Sequence, residues 1–123
     1  MEIKKLGYDF SVCKVADYSQ VDLTGEFVFV GKTDEEASLV CRTKDVPANV
    51  TAREDGWKAF RIQGVLDFSL IGILSRITAI LADAGVSVFC VSTFNTDYVL
   101  VKEDRLTAAV SALQSAGHTT IPA

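Results

Sequence analysis

The residues best placed to do chemistry fall in two short stretches. One holds Asp67, Ser69, Leu70, Ile71, Gly72 and Ile73, and the other holds Ser92, Thr93, Phe94, Asn95, Thr96 and Asp97. In the first, a glycine sits at the opening of a helix-forming run, where it costs about 1 kcal/mol relative to alanine. Two readings of Gly72 compete. The missing side chain lets a ligand carboxylate approach the unpaired N–H groups and positive dipole of a helix start, or it lets the helix lie close to an adjacent strand. The second stretch sets five hydrogen-bonding side chains around one aromatic, Phe94, where a turn needs only Asn95 and Thr96. Asp97 would hold a ligand ammonium while the helix start holds its carboxylate, a pairing that suits a free amino acid or similar zwitterion. A plainer account stands beside it: Thr93 and Thr96 are good strand and turn residues, Asp97 ends the hairpin bonds, and Phe94 joins the core.

Other chemistries find little support. His118 is the single histidine and follows Gly117 in a loop, so a Ser-His or Cys-His pair would have to be assembled around it. The carboxylates Asp34, Glu35 and Glu36 fall at a hairpin tip, and Glu103 and Asp104 at a helix start, where turn and capping roles account for them. No P-loop or dinucleotide glycine pattern occurs, and no cluster of His, Cys, Asp and Glu has metal-ligand spacing. The expectation is a binding module with no cofactor and no metal, not an enzyme.

Composition narrows the partners. A net charge of -4 removes the electrostatic attraction that nucleic acid requires. The scattered lysines and arginines form no lipid-binding patch, and no apolar run is long enough to span a bilayer. Cys13, Cys41 and Cys90 lie far apart in apolar stretches and read as reduced core thiols of a cytoplasmic protein.

These residues need elements to hold them. Leu70, Ile73, Leu74, Ile77, Ile80, Leu81 and Ala84 recur at helical spacing, which predicts a helix over 69–84 capped by Asp67 or Ser69 and stopped by Gly85. A second helix follows Asp104, with Leu106, Ala109, Val110 and Leu113 on one face and Gly117 as its stop. Strands are predicted over 57–66 and 119–121, and 86–102 reads as a hairpin turning at Asn95-Thr96. The order from residue 57 is βαββαβ, a ferredoxin-like unit with two helices over one face of an antiparallel sheet. The fold class is therefore α+β.

The first half holds strand candidates at 9–15, 27–33 and 37–42. Shifting the sequence by 60 positions without a gap lays Val28-Phe29 on Val88-Phe89, Thr33 on Thr93, and Leu39-Val40 on Val99-Leu100. The first half reads as a worn copy, with residues 16–26 too short for a helix and Pro47 breaking the second. This divides the chain into a degenerate unit, 1–56, and a complete one, 57–123. Lys32 and Ala37 replace Ser92 and Asp97 in the worn copy, which argues against a second site there.

At Trp57, Gly64 to Leu74, Leu81 to Phe89 and Ser92 to Glu103 the sequence resembles ACT domains, in particular the regulatory domains of aspartate kinases and the small tandem-ACT arginine sensors. The resemblance implies tandem ACT units that bind an amino acid without catalysis at an ACT–ACT interface, usually as a homodimer. It matches Gly72 to the glycine at the helix start, and Thr93, Phe94 and Asp97 to ligand-contacting hairpin positions. Leu70 and Ile71 stand where the sensors carry an acidic residue, which points toward a less cationic ligand than arginine. No kinase domain is attached, so output would pass to a separate protein. An unliganded interaction domain is the rival reading.

Overall fold

The computed structural model describes residues 1–63 and 72–123. It divides into two compact units, one of residues 58–123 together with 1–7, the other of residues 8–57. The strands β1 (Glu2–Val15) and β4 (Val50–Ile62) supply residues to both.

In the unit built on 58–123, β4 is followed by α1 (Ile73–Asp83), β5 (Val88–Ser92), β6 (Asp97–Lys102), α2 (Leu106–Ser115) and β7 (Thr119–Ile121). This is the expected βαββαβ order. The helices form where apolar residues recur at helical spacing. Ile73, Ile77 and Leu81 of α1 and Ala109 and Leu113 of α2 are buried together with Ile3, Phe60, Ile62, Val99 and Val101 of the sheet. Gly85 and Gly117 end the helices with φ of 74° and 92°, a left-handed turn that glycine adopts without steric cost.

One expectation is corrected here. The first helix is described over Ile73–Asp83 with Gly72 as its N-cap, while the expected start at Ser69 and the caps Asp67 and Ser69 lie outside the described residues. Gly72 stands outside the helix for a conformational reason, since its φ is 79°, outside any right-handed helix. The N-terminus adds a strand to the βαββαβ pattern. The start of β1 pairs in parallel with β7, Ile3 against Thr120, and the strand order of this unit is β7-β1-β4-β6-β5. The Gln63 N–H donates to the Glu2 carbonyl at 2.9 Å on the β4 side. Residues 1–7 thus lie between β7 and β4, the last and first strands of the βαββαβ pattern.

The unit of residues 8–57 contains no α-helix. It has strand order β2-β3-β1-β4, with β2 at Phe29–Lys32 and β3 at Ala37–Arg42. Cys13, Val15, Leu39 and Cys41 form its core, and Tyr18 and Val21 from the long 16–28 connection pack against them. That connection is pinned by Asx turns at Asp17 and Asp22, and by the Tyr18 hydroxyl donating to the Ser38 carbonyl at 2.8 Å.

The predicted offset appears in the strand register. Phe29 pairs with Val40 and Lys32 with Ala37, while Phe89 pairs with Leu100 and Ser92 with Asp97. Each hairpin is followed by a short 3-10 turn, Thr43–Asp45 in one and Glu103–Arg105 in the other. The second turn runs on into α2. The first meets Val46-Pro47, and proline cannot continue a helix.

Candidate functional site

The site residues follow from the hairpin upward. The Thr93 N–H donates to the Thr96 carbonyl at 2.9 Å, and the Thr93 hydroxyl donates to the same carbonyl at 3.0 Å. The turn is therefore closed by Thr93 and Thr96, not by Asn95 and Thr96 as the composition suggested. The first hairpin closes in the same way, the Thr33 N–H donating to the Glu36 carbonyl at 2.9 Å. Thr96 is buried, and its hydroxyl donates to the Ile62 carbonyl at 2.6 Å. That bond sets the hairpin tip beside the end of β4, the strand that leads toward α1.

Asp97 and Ser92 face each other in the register, and the Ser92 hydroxyl donates to the Asp97 carboxylate at 2.6 Å. Alternation along β5 and β6 puts this pair on the side of Val88, Val99 and Val101, which pack with the helices. Hence Asp97 presents a carboxylate on the helix-covered face. Asn95 is exposed, and Phe94 is 80% exposed, so its ring is not a core residue.

At the helix start, the Arg76 N–H makes the first intrahelical bond, to the Gly72 carbonyl at 2.9 Å. The amides of Ile73, Leu74 and Ser75 have no acceptor within the helix. The Ile73 side chain is in the core, so toward a ligand this residue offers its backbone. A Cβ placed on Gly72 would lie 3.4 Å from Nη1 of Arg76. Among the described residues no strand approaches a Cβ at Gly72, and the left-handed φ is what disfavours a side chain there. Arg76 is the residue that sequence reasoning missed. Its signal was an arginine off the apolar stripe, one turn past the glycine. Asp67, Ser69, Leu70 and Ile71 lie outside the described residues.

The thiols divide. Cys13 and Cys41 are buried, and burial pushes the Cys41 thiol up to about 12. Cys90 is exposed, contrary to the core role expected of it, because β5 is the outer strand of its unit. Burial of its sulfur and the Asp97 carboxylate raise its pKa nonetheless, which opposes thiolate chemistry. Among the described residues no group of three His, Cys, Asp or Glu could hold a metal, and no helix is long and apolar enough to cross a membrane.

A separate depression of about 770 Å³ runs along the outer side of α1, lined by Ser75, Thr78, Ala82, Gly85 and Val88 among others. Among the described residues, none of the predicted site residues lines it.

Comparison with known proteins places the fold. The ACT domain model matches residues 52–115, and the chain belongs to the ACT-domain family. A crystal structure of an Agobacterium tumefaciens protein is 30% identical, with a TM-score of 0.87 over 99% of this chain and 92% of that one. The regulatory subunit of aspartate kinase from Thermus thermophilus shares the fold at 12% identity and a TM-score of 0.62, covering 94% of this chain and 96% of that one. The human cytosolic arginine sensor for mTORC1 subunit 1 is 41% identical over 59 residues, 47% of this chain, and the match spans 18% of the sensor's length.

Proposed function

We propose that the chain is a non-catalytic regulatory module that binds a free amino acid or similar zwitterion between the Gly72 helix start and the Ser92 to Asp97 hairpin. The observation that carries this is the Thr96 to Ile62 bond. It gathers the hairpin tip at the end of β4, while the register turns the Asp97 carboxylate to the helix side. In this reading the amides that open α1, with the Arg76 guanidinium beside Gly72, take the ligand carboxylate. Asp97 takes the ammonium, and Thr93, Asn95 and Phe94 border the side chain. The likeness to an arginine sensor over 59 residues supports amino-acid binding. Leu70 and Ile71 in the loop favour a ligand less cationic than arginine.

Regulation would pass to a separate protein through a homodimer of this chain, in the cytoplasm, with the ligand shifting the balance between two interface arrangements. The division into a degenerate unit, 1–56, and a complete unit, 57–123, belongs to the same proposal, supported by the matching hairpin registers. A thermal-shift screen against the standard amino acids tests the reading. A ligand at a hundred times its dissociation constant adds about 2.7 kcal/mol, and Asp97→Ala should abolish that gain. No response to any amino acid from a folded protein would sink it.

A second reading, an unliganded interaction domain, draws on one feature of its own. β5 is an outer strand without a charged residue, Val-Phe-Cys-Val-Ser, bordering the α1 depression and leading to the exposed Phe94. An uncharged outer strand is a ready template for a further strand. Sedimentation of the chain and of Val91→Lys tests whether this edge carries an association, and the thermal-shift screen separates the two readings, since only the first requires a response to an amino acid.

A further inference from the structure

A second groove lies away from the hairpin, between α2 and the N-terminal part of β1. It has a volume of about 280 Å³ and is lined by Lys5, Leu106, Thr107, Val110, Ser111 and Gln114. Alternation along β1 sets Lys5 on the same side as Ile3, which is buried under the helices. The lysine is therefore directed to the helix-covered face and reaches partial exposure at the flank of α2. Leu106 and Val110 offer apolar surface to a ligand tail or to the lysine stem.

The charge pattern of this groove runs against that of the chain. The protein carries a net charge of -4, yet among the described residues that line the groove there is no carboxylate and the one charged group is the Lys5 ammonium. Among the described residues Lys5 joins neither of the ion pairs present, Lys44 with Asp45 and Arg53 with Asp55. Around it stand the hydroxyls of Thr107 and Ser111 and the amide of Gln114, whose Nε2 donates one of its two protons to Thr120 at 2.8 Å. One cation, two hydroxyl donors and a strip of aliphatic surface in a volume of this size match a small free carboxylate with a short apolar tail.

We propose that this groove is a binding site for small aliphatic monocarboxylates, with Lys5 as the anionic anchor and Leu106 and Val110 as the surface for the tail. It is distinct from the amino-acid site and does not depend on it. The test is titration of the isotope-labelled full chain with sodium butyrate, read by amide chemical shifts, against butyramide and sodium chloride. Butyrate should move the signals of Lys5 and of residues 106–114 and saturate at millimolar concentration, while butyramide and chloride should not. Lys5→Gln should weaken binding about tenfold, the loss of one charged hydrogen bond, while Lys5→Arg retains it. Ser111→Glu places a carboxylate in the groove and should abolish the response without touching Lys5. Equal shifts with butyramide, shifts elsewhere only, or unchanged affinity in both Lys5→Gln and Ser111→Glu would overturn the proposal. Because Asp97→Ala should leave the butyrate response intact, the two sites fail independently.

Discussion

The Thr96 hydroxyl donates to the Ile62 carbonyl across 34 residues of sequence, at 2.6 Å and out of contact with solvent. A buried acceptor deprived of its donor bears the desolvation cost alone. Thr96→Val keeps the shape and removes the hydroxyl, so it should destabilise the fold by about 1–3 kcal/mol. Urea unfolding should show a lowered midpoint with an unchanged slope. The same variant should weaken amino-acid binding, because the hairpin tip loses its tether to β4.

Gly72 makes the opposite kind of contribution, one of backbone and not of contact. At φ 79° an alanine pays a left-handed penalty of about 1–2 kcal/mol, and its Cβ would lie near Arg76. Gly72→Ala should be destabilising by that amount, while Gly72→Asn should recover part of it, since asparagine tolerates this conformation better. Gly25→Ala is the control. A Cβ there meets nothing within 4 Å and the backbone is not left-handed, so its stability should stay within about 0.5 kcal/mol of the parent.

His118 gives the stability curve a recognisable segment. Burial, then the Met1 amino group and Arg76, lower its pKa below 6.5. As pH falls through 6.5, the unfolded chain takes up a proton that the folded chain resists, so stability present above 6.5 is lost toward acid. His118→Asn should flatten the dependence between about pH 5 and pH 7. Asp17 and Asp22, whose pKa values are lowered by hydrogen bonds from Ser19 and Thr24, act below the usual 3.8 and leave that window to the histidine.

The thiols predict the alkaline side. Cys41 has an ordinary value of 9.0 and is pushed by burial to about 12, so its contribution is complete below 9 and is lost as pH rises from there toward 12. Cys41→Ala should reduce that alkaline loss at the expense of core packing. In the native protein at pH 8, iodoacetamide should label Cys90 alone, and more slowly than a free thiol because the Cys90 pKa is also raised. Mass spectrometry of the digested product reads both points.

Much of this was legible in the residues. The stripes Ile73-Ile77-Leu81 and Ala109-Leu113 announced the helices, and the 60-residue offset announced two hairpins of one register. Pro47 announced the missing helix of the first copy. What escaped had physical reasons. Residues 50–56 form a strand although Arg53, Glu54 and Asp55 break any apolar alternation. Asp55 there accepts a bond from the Ser11 hydroxyl at 2.6 Å, 44 residues away in sequence, and such a long-range partner leaves no local trace. The nearness of Arg76 to Gly72 is local helix geometry, one turn apart, and was there to be read once the helix start was set at Gly72. At the hairpin, the count of polar side chains overstated what faces a ligand, since Thr93 and Thr96 bond to the protein itself.

The placement of residues 1–7 beside β7 reaches beyond geometry, into the order of events during synthesis. Strand β1 pairs with β7, Ile3 against Thr120, so this unit cannot close until β7 has been made, long after β1. A fragment of residues 57–123 would carry both helices and both hairpin strands yet expose two strand edges where β1 belongs. A peptide of residues 1–7 supplied in trans would fit that gap, making the unit a natural candidate for fragment complementation.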